Sequence, residues 1–588
     1  MNCRIKNFLF LFIVSGLLIQ TLFICYFCFE KIGAPKYFIF SLVASIAFTA
    51  YSLSKGRIYF LNLDKRFLFL VFLFALSYIP AKDKLWFSQH LYSLIVVFSV
   101  YYVVSRTYMN KYFDAFLVIL FVLGILEVIQ SVYQLSLINA YGFMPPSKSS
   151  SLFGIFLPKI SKGLRPAGSL GQPNILSMFL SLSLISALEY FKNKRRIIFA
   201  AIVVFILSFG VYITQSRGGL LDVILGVGVW FYIQPRKGVD YKTKLYLILG
   251  IILGFVLGAI FVKLTIGALG TIERLQKIGQ ELGTMGRLWF WCIGVLMIIK
   301  NPVLGVGLGN IKTHAWIYTE ELLKCPLFKR LFVPHLKPLG ISWLHNEYIH
   351  FTAETGVVGL LGMILFVFSV VKTLKILNRG EHREKYFILP FFVIFGFHSL
   401  ISMPFHYPVT LFLFSIVTGI LVNLTEKESL HPYTSAKIFG LIAKGIAFFL
   451  LFINLSMFYS GYNLSMAKRM ITNNIEDAKK YALFVSRSFK NPVIGRLALE
   501  TLEPYFYSTA IQGSSKTFID RALWIELKLY HFKPTPLRAY YISRLYAEAG
   551  DTVKASGWYS VLRSMYPVEY NRITKEFPLP IRENIDNF

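Results

Sequence analysis

Residues 343–362, WLHNEYIHFTAETGVVGLLG, place histidines and carboxylates directly before one of the most apolar runs of the chain. A histidine can take a proton from a hydroxyl near neutral pH, so His345 is a candidate general base. Asn346 and Glu347 follow it immediately. The spaced glycines after them predict a helix that packs closely against its neighbours. These glycines are Gly356, Gly359 and Gly362.

Arginines near the ends of three other apolar segments could bind an anion. They are Arg165 in RPAGSLGQPN, Arg217 in TQSRGG and Arg287 in GRLWFW. A guanidinium matches phosphate oxygens with two parallel hydrogen bonds, so several arginines at headgroup level could hold a lipid diphosphate. Gln172 and Asn174 lie in the first of these stretches and are candidate positioning residues.

Each candidate side chain also has an ordinary alternative. An arginine at the end of a membrane helix commonly reaches the phosphates of surrounding lipids, and a histidine at the interface commonly packs as a hydrogen-bonded residue. The functional hypothesis depends on arginines from separate loops and His345 meeting at one membrane face.

The composition predicts a membrane protein. The chain has 588 residues, of which 55% are hydrophobic and 15% are charged, whereas soluble domains carry about 25% charged residues. Many apolar runs approach the ~20 residues needed to cross a bilayer as a helix, which predicts an all-α polytopic integral membrane protein with about 13 transmembrane helices. The predicted spans are 8–28, 37–54, 67–79, 85–104, 113–133, 173–190, 197–213, 219–233, 245–265, 349–376, 386–402, 408–423 and 437–460.

One further apolar stretch, 287–299, is too short for a confident crossing. We expect it to lie along the membrane interface or to form one limb of a re-entrant segment.

The net charge of +31 lies largely in short loops. It therefore indicates membrane topology, and no nucleic-acid partner is inferred. Basic loops such as KNKRR and QPRKGVDYKTK recur on one side of the predicted spans. With those loops cytoplasmic, loop 134–172, loop 266–348 and the tail 461–588 lie in the periplasm, and the protein is a multi-pass protein of the bacterial inner membrane.

The predicted organisation has four parts. Residues 1–135 form N-terminal transmembrane helices, and residues 136–425 form the core, which includes the periplasmic loop 266–348. The last transmembrane helix falls in 426–460, and a C-terminal periplasmic helical domain fills 461–588. Within that domain LRAYYISRLYAEAGDTVKASGWYSVLRSMYP predicts a tetratricopeptide-like hairpin, because two amphipathic segments flank a Gly-Asp turn.

Together the motifs RPAGSLGQPN, TQSRGG, GRLWFW with NPVLGVGLGN, and His-Asn followed by the spaced glycines resemble the bacterial O-antigen ligase and O-oligosaccharyltransferase superfamily over roughly residues 150–425. The resemblance implies transfer of a glycan from an undecaprenyl-diphosphate carrier to an acceptor, with no metal and no other cofactor. It implies that Arg217 and Arg287 bind the diphosphate and that His345 is the essential histidine. Asn346 and Glu347 would orient His345 or the acceptor.

The stretch RPAGSLGQPN is similar to an element of the protein-glycosylating branch of that superfamily. The resemblance implies that Arg165 contributes to the diphosphate site and that Gln172 and Asn174 position the donor or the acceptor. One position departs from the family pattern: Ser402 stands in HSLISMPFHYP where members often carry a glutamate, so no acidic role is assigned there.

The acceptor has three possible identities. It could be a Ser or Thr hydroxyl of a periplasmic protein such as a pilin, the lipid A-core, or a growing glycan chain. The QPN element and the external tail favour the protein acceptor, with surrounding membrane lipids as the other partner. A transporter or flippase is disfavoured, because the ionisable residues are predicted at one face and not at the midplane.

Overall fold

The computed structural model describes 15 segments, single positions included, and every regular element in them is helical. The described residues are 3–22, 33–54, 60–141, 165–192, 197–235, 239–266, 282–332, 341, 343–426, 437–473, 495–512, 516–532, 534–567, 570 and 573–574.

The helices follow one another with short connections in most of the described chain. In chain order they are α1 (Cys3–Leu22), α2 (Gly33–Ser54), α3 (Asn62–Leu76), α4 (Lys84–Thr107), α5 (Phe113–Tyr141), α6 (Pro173–Phe191), α7 (Ile197–Ile213), α8 (Arg217–Ile233), α9 (Tyr241–Ile266), α10 (Leu282–Lys300), α11 (Ile311–Leu323), α12 (Pro326–Phe332), α13 (Glu347–Arg379), α14 (Lys385–Ile401), α15 (Pro408–Thr425), α16 (Lys437–Asn473), α17 (Gly495–Ile511), α18 (Lys516–Phe532), α19 (Pro536–Glu548) and α20 (Thr552–Met565).

The chain is a multi-pass membrane protein. Among the described residues, 9 helices are long and apolar enough to cross a membrane. Each predicted span overlaps a helix, but α3, α7, α8 and α14, which have 15 or 17 residues, are not among these 9. The stretch 287–299 lies within α10, which has 19 residues.

The helices group into two compact units, each assembled from segments that are distant in sequence. The first unit comprises Met1–Leu68, Ser93–Glu281 and Leu365–Leu455. In this unit α6 is buried among α5, α7, α8 and α14. Four serines on α6 are tolerated there because each hydroxyl donates to a carbonyl of the preceding turn.

The second unit comprises Phe69–Tyr92, Leu282–Ile364 and Ser456–Phe588. Here helices of the tail pack on α11, which lies in loop 266–348. Trp316 of α11 shares a buried cluster with Tyr540 and Tyr566 of the tail. Helices α19 and α20 flank the expected Gly-Asp turn: Gly550 has φ +79° and Asp551 caps α20 by accepting from Lys554 N at 3.0 Å.

Helix α13 is interrupted near its start. Gly356 has φ 65° and ψ −163°, so the helix breaks between its first turns and its long apolar part. A side chain at Gly356 would collide with the carbonyl of Val303. The prediction that all three spaced glycines serve close helix packing is therefore wrong for Gly356, whereas Gly359 and Gly362 do face apolar side chains of α3.

The segment 301–310 satisfies the backbone groups that this break exposes. Val306 N donates to Ala353 O at 3.0 Å and Gly307 N donates to Glu354 O at 2.8 Å. On the other side of the break Val357 N donates to Pro302 O at 2.8 Å. Unpaired backbone groups are costly inside a membrane protein, so the break in α13 depends on the hydrogen bonds that this segment supplies.

Candidate active site

The loop that carries Arg165 is held by hydrogen bonds to side chains of α5 and α2. Gln134 accepts from the backbone N–H groups of Ala167 and Gly168, both at 2.9 Å, and donates to Gly168 O at 3.0 Å. Glu127 accepts from Ser169 N at 2.8 Å. A buried lysine of α2, Lys36, donates to Ser169 Oγ at 3.1 Å. These anchors, which fix the loop's backbone, could not be predicted from the residues of the loop.

Arg165 and Asn174 meet the turn that precedes α8. Arg165 Nε donates to Thr214 O at 2.9 Å, and its terminal nitrogen donates to Asn174 Oδ1 at 3.2 Å. The same Asn174 oxygen accepts from Ser216 Oγ at 3.1 Å. Ser216 in turn caps α8 by accepting from Gly219 N at 3.2 Å. The structure therefore brings these two predicted residues together with the N-terminus of α8.

Arg217 is the first residue of α8 and is half-buried. The N-terminus of a helix carries a partial positive charge and unpaired N–H groups, and Arg217 adds a full charge to it. Gln172 lies at the N-terminus of α6, where its backbone carbonyl accepts from Leu176 N at 3.0 Å and its side-chain oxygen is buried without a hydrogen-bond partner. This first group of residues can bind an anion.

His345 lies in a tight turn of the second unit. Its φ of 53° is unusual for a residue with a side chain and places the imidazole against the ring of Phe290, with 6.0 Å between ring centroids. Its Nδ1 atom is buried and has no hydrogen-bond partner. Leu344, next to it, is fully buried against Trp289 and Ile293 of α10, which fixes the turn.

The environment of His345 favours a neutral ring. Burial, the nearby positive charge of Arg287 and the imidazole of His350, in that order of importance, together lower the pKa of His345 to about 4. Arg287 lies on α10, one turn before Phe290. His345 and Arg287 are thus electrostatically coupled, and the imidazole is an unprotonated acceptor at neutral pH.

Asn346 and Glu347 begin α13. The side chain of Asn346 caps the helix, since Oδ1 accepts from Ile349 N at 3.1 Å and the backbone oxygen accepts from His350 N at 2.9 Å. Glu347 is the first residue of the helix and is 2% exposed. A contribution of Asn346 to orienting His345 therefore operates through the turn that it caps.

The structure also contains two buried histidine–carboxylate pairs that were not predicted from the sequence. His350 Nε2 lies 3.2 Å from Glu354 Oε1, and His398 Nδ1 lies 2.7 Å from Asp222 Oδ2. His350 and Glu354 are four residues apart on α13, so the HxxxE spacing in HFTAE could have indicated them. Asp222 and His398 are 176 positions apart, and no local pattern could have paired them.

The predicted site residues thus form two groups, one in each unit. Arg165, Asn174 and the first turn of α8 with Arg217 form the group of the first unit. Arg287 and His345 belong to the second unit. The first group offers cationic and N–H donors for an anion, and the second offers a neutral base beside a cation.

Two family models match the chain. Residues 202–364 match the family described as O-antigen ligase, and residues 387–577 match the family described as virulence factor membrane-bound polymerase, C-terminal. No curated protein matches the chain.

The multi-pass helical fold and these matches define a membrane protein of the ligase and polymerase type, which acts on glycans. The chain belongs to the O-antigen ligase superfamily, whose members are glycosyltransferase-like ligases or polymerases.

Proposed function

We propose that this protein is an O-oligosaccharyltransferase of the bacterial inner membrane. It moves a glycan from an undecaprenyl-diphosphate carrier to Ser or Thr hydroxyls of a periplasmic acceptor protein such as a pilin. The observation that carries the proposal is His345, a buried and neutral imidazole held next to Arg287 at the start of α13. The proposed active site and the tail face the periplasm, where nucleotide sugars are not available.

The reaction is a substitution at the anomeric carbon of the first sugar. The acceptor oxygen forms a bond to that carbon, and the bond from the carbon to the diphosphate oxygen breaks. His345 takes the hydroxyl proton, and undecaprenyl diphosphate leaves with the bonding electron pair. Arg287, Arg217 and Arg165 neutralise the diphosphate charge, and the N-terminus of α8 adds its N–H donors.

The tail supports a protein acceptor. Its helices belong to the same unit as His345, and they pack on the large loop through Trp316, which is 9% exposed. An amphipathic helical domain attached in this way provides a surface on which a protein can dock, and a lipid or a free glycan would not require one.

Intact-mass spectrometry of periplasmic proteins tests the proposal. A deletion strain is compared with strains complemented by the wild type and by His345→Ala. We expect a glycan-sized mass increase on an acceptor protein with the wild type only. If protein masses were the same in all strains and the deletion strain lost its lipopolysaccharide ladder, the protein would instead be a ligase onto lipid A-core.

A polymerase is the second candidate function, and one observation favours it. Residues 387–577, which include the tail, match a family described as a membrane-bound polymerase. A polymerase would use the same base and cations on a growing lipid-linked glycan. It would lengthen the carrier-bound chains, so the size of glycans released from undecaprenyl diphosphate in the two strains distinguishes this activity.

The low pKa of His345 predicts an unusual pH profile. Because the folded-state pKa is lowered to about 4, the ring stays neutral as the pH falls through 6.5, the range where an ordinary histidine becomes protonated. We expect kcat/KM, which reports the free enzyme, to stay level from about pH 8 to about pH 5 and to fall only below that range. An acid limb near pH 6.5 in wild-type membranes would contradict the assignment of His345 as the base.

Transfer should survive chelators. Among the residues that the structure describes, no group of three or more His, Cys, Asp or Glu side chains is arranged to hold a metal ion. We therefore expect the same initial rate in membranes washed with EDTA as in untreated membranes. A loss of rate that one divalent cation restores would show that this expectation is wrong.

Removing the tail tests its role in recruitment. We expect deletion of residues 480–588 to reduce glycosylation of the acceptor while binding of the lipid-linked donor is retained. A reporter that is active only in the periplasm, fused after Phe588, should be active, and a cytoplasm-only reporter should be silent. Loss of donor binding on deletion would mean that the tail braces the rest of its unit instead, and a cytoplasmic tail would contradict the proposed topology.

A further inference from the structure

The turn that carries His345 contacts a second histidine. The backbone N–H of Leu344 donates to His350 Nδ1 at 3.5 Å. Leu344 directly precedes His345, so this contact holds the turn in which His345 adopts its left-handed backbone conformation. The ring of Trp343 lies over the same imidazole, with 5.9 Å between centroids.

The other nitrogen of His350 faces a carboxylate. His350 Nε2 lies 3.2 Å from Glu354 Oε1, and the two side chains are each 1% exposed. This contact is electrostatic and not a hydrogen bond. A neutral imidazole has one N–H and one acceptor nitrogen. With Nδ1 accepting from Leu344, the ring proton resides on Nε2, the nitrogen that the carboxylate favours. One tautomer therefore suits both neighbours.

Glu354 itself is held by the helix break. Its backbone oxygen accepts from Gly307 N at 2.8 Å, and Gly305, with φ +67°, approaches its carbonyl so closely that a Cβ would collide with it. The interruption at Gly356 two residues later is what frees that carbonyl. The segment 301–310 thus fixes Glu354, and Glu354 lies next to His350.

We propose that Glu354 and His350 are positioning residues for His345. Glu354 keeps the proton of His350 on Nε2, which leaves Nδ1 as the acceptor that holds the Leu344 N–H and with it the turn at His345. This inference rests on the proposed function, because it assumes that His345 acts as the base. It gives the helix break a role in setting the geometry of the reaction.

Two substitutions of His350 separate this role from simple packing. In His350→Asn the side-chain oxygen can occupy the place of Nδ1 and accept from Leu344. In His350→Gln the amide reaches the place of Nε2 and leaves the Leu344 N–H without its acceptor. Asparagine is the smaller side chain and leaves the larger cavity, so packing alone would favour glutamine.

We expect His350→Asn to stay close to the wild-type rate and His350→Gln to fall about 10²-fold, the cost typical of a misplaced catalytic group. The rate is the release of undecaprenyl diphosphate from lipid-linked glycan extracted from the deletion strain, measured with full-length protein in membranes. Equal rates for the two variants, or a faster glutamine variant, would overturn the proposal. A loss in both that parallels a lower unfolding temperature would overturn it as well.

Glu354 provides a second comparison. Glu354→Gln keeps an oxygen near Nε2 of His350, and Glu354→Leu removes it at similar volume. We expect the glutamine variant to retain activity and the leucine variant to lose it, and equal activity of the two would contradict the positioning role. His345→Ala is measured in the same series: if it is active, the proposed base is wrong, whereas an inactive His345→Ala with a fully active His350→Gln refutes only the present inference.

Discussion

Replacing His345 by alanine is expected to abolish glycan transfer while the protein still accumulates in the membrane. Loss of a general base typically costs about 10²- to 10⁴-fold in rate. His345 is available for that role because its buried ring is unprotonated at neutral pH, and Arg287 lies close enough to keep it so. The initial rate of acceptor glycosylation, measured by intact mass against protein amount, checks the prediction.

The backbone of His345 calls for a second variant. Its φ of 53° strains alanine more than asparagine, which adopts this conformation more readily. His345→Asn therefore keeps the turn and removes the base, and we expect it to be as inactive as His345→Ala. His531→Ala, at an exposed position on α18, is the matched control and should behave as the wild type. Near-normal transfer by His345→Asn would remove His345 from the mechanism.

Replacing Arg217 or Arg287 by lysine is expected to cause a large defect although the charge is retained. Lysine carries a single ammonium and cannot make the paired hydrogen bonds of a guanidinium to phosphate oxygens. Hydrogen bonds to charged groups are worth about 1.5–3 kcal/mol, which corresponds to about 10- to 10²-fold in rate for each variant. Initial rates in membranes at several donor concentrations measure the effect.

The two arginines should differ in which kinetic constant changes. Arg217, at the N-terminus of α8, is proposed to hold the diphosphate before and during reaction, so its lysine variant should mainly raise KM for the donor. Arg287 also affects His345, so its variant should lower kcat as well. Arg330→Lys, at an exposed position on α12, is the control. Full activity of both Arg217→Lys and Arg287→Lys would rule out the bidentate diphosphate site.

The sequence alone determined the helical membrane architecture and most of the candidate side chains. Long apolar runs can satisfy their backbone groups in lipid only as helices, so the positions of the helices follow from hydropathy. Arg165, Arg217, Arg287 and His345 were identifiable as candidates because they lie in short polar motifs that border apolar runs. The Gly-Asp turn between α19 and α20 could also be predicted, because Gly550 and Asp551 are residue types that favour turns.

Only the tertiary structure decided how these side chains are held and protonated. Gly356 has the spacing of a packing glycine, yet it breaks α13 because segment 301–310, more than 40 residues earlier, supplies the hydrogen bonds that replace the helical ones. The anchors of the Arg165 loop, Glu127 and Gln134, come from another helix. The pKa of a histidine and the formation of a buried ion pair depend on burial and on charges that distant segments bring near. Neither can be predicted from the spacing of neighbouring residues.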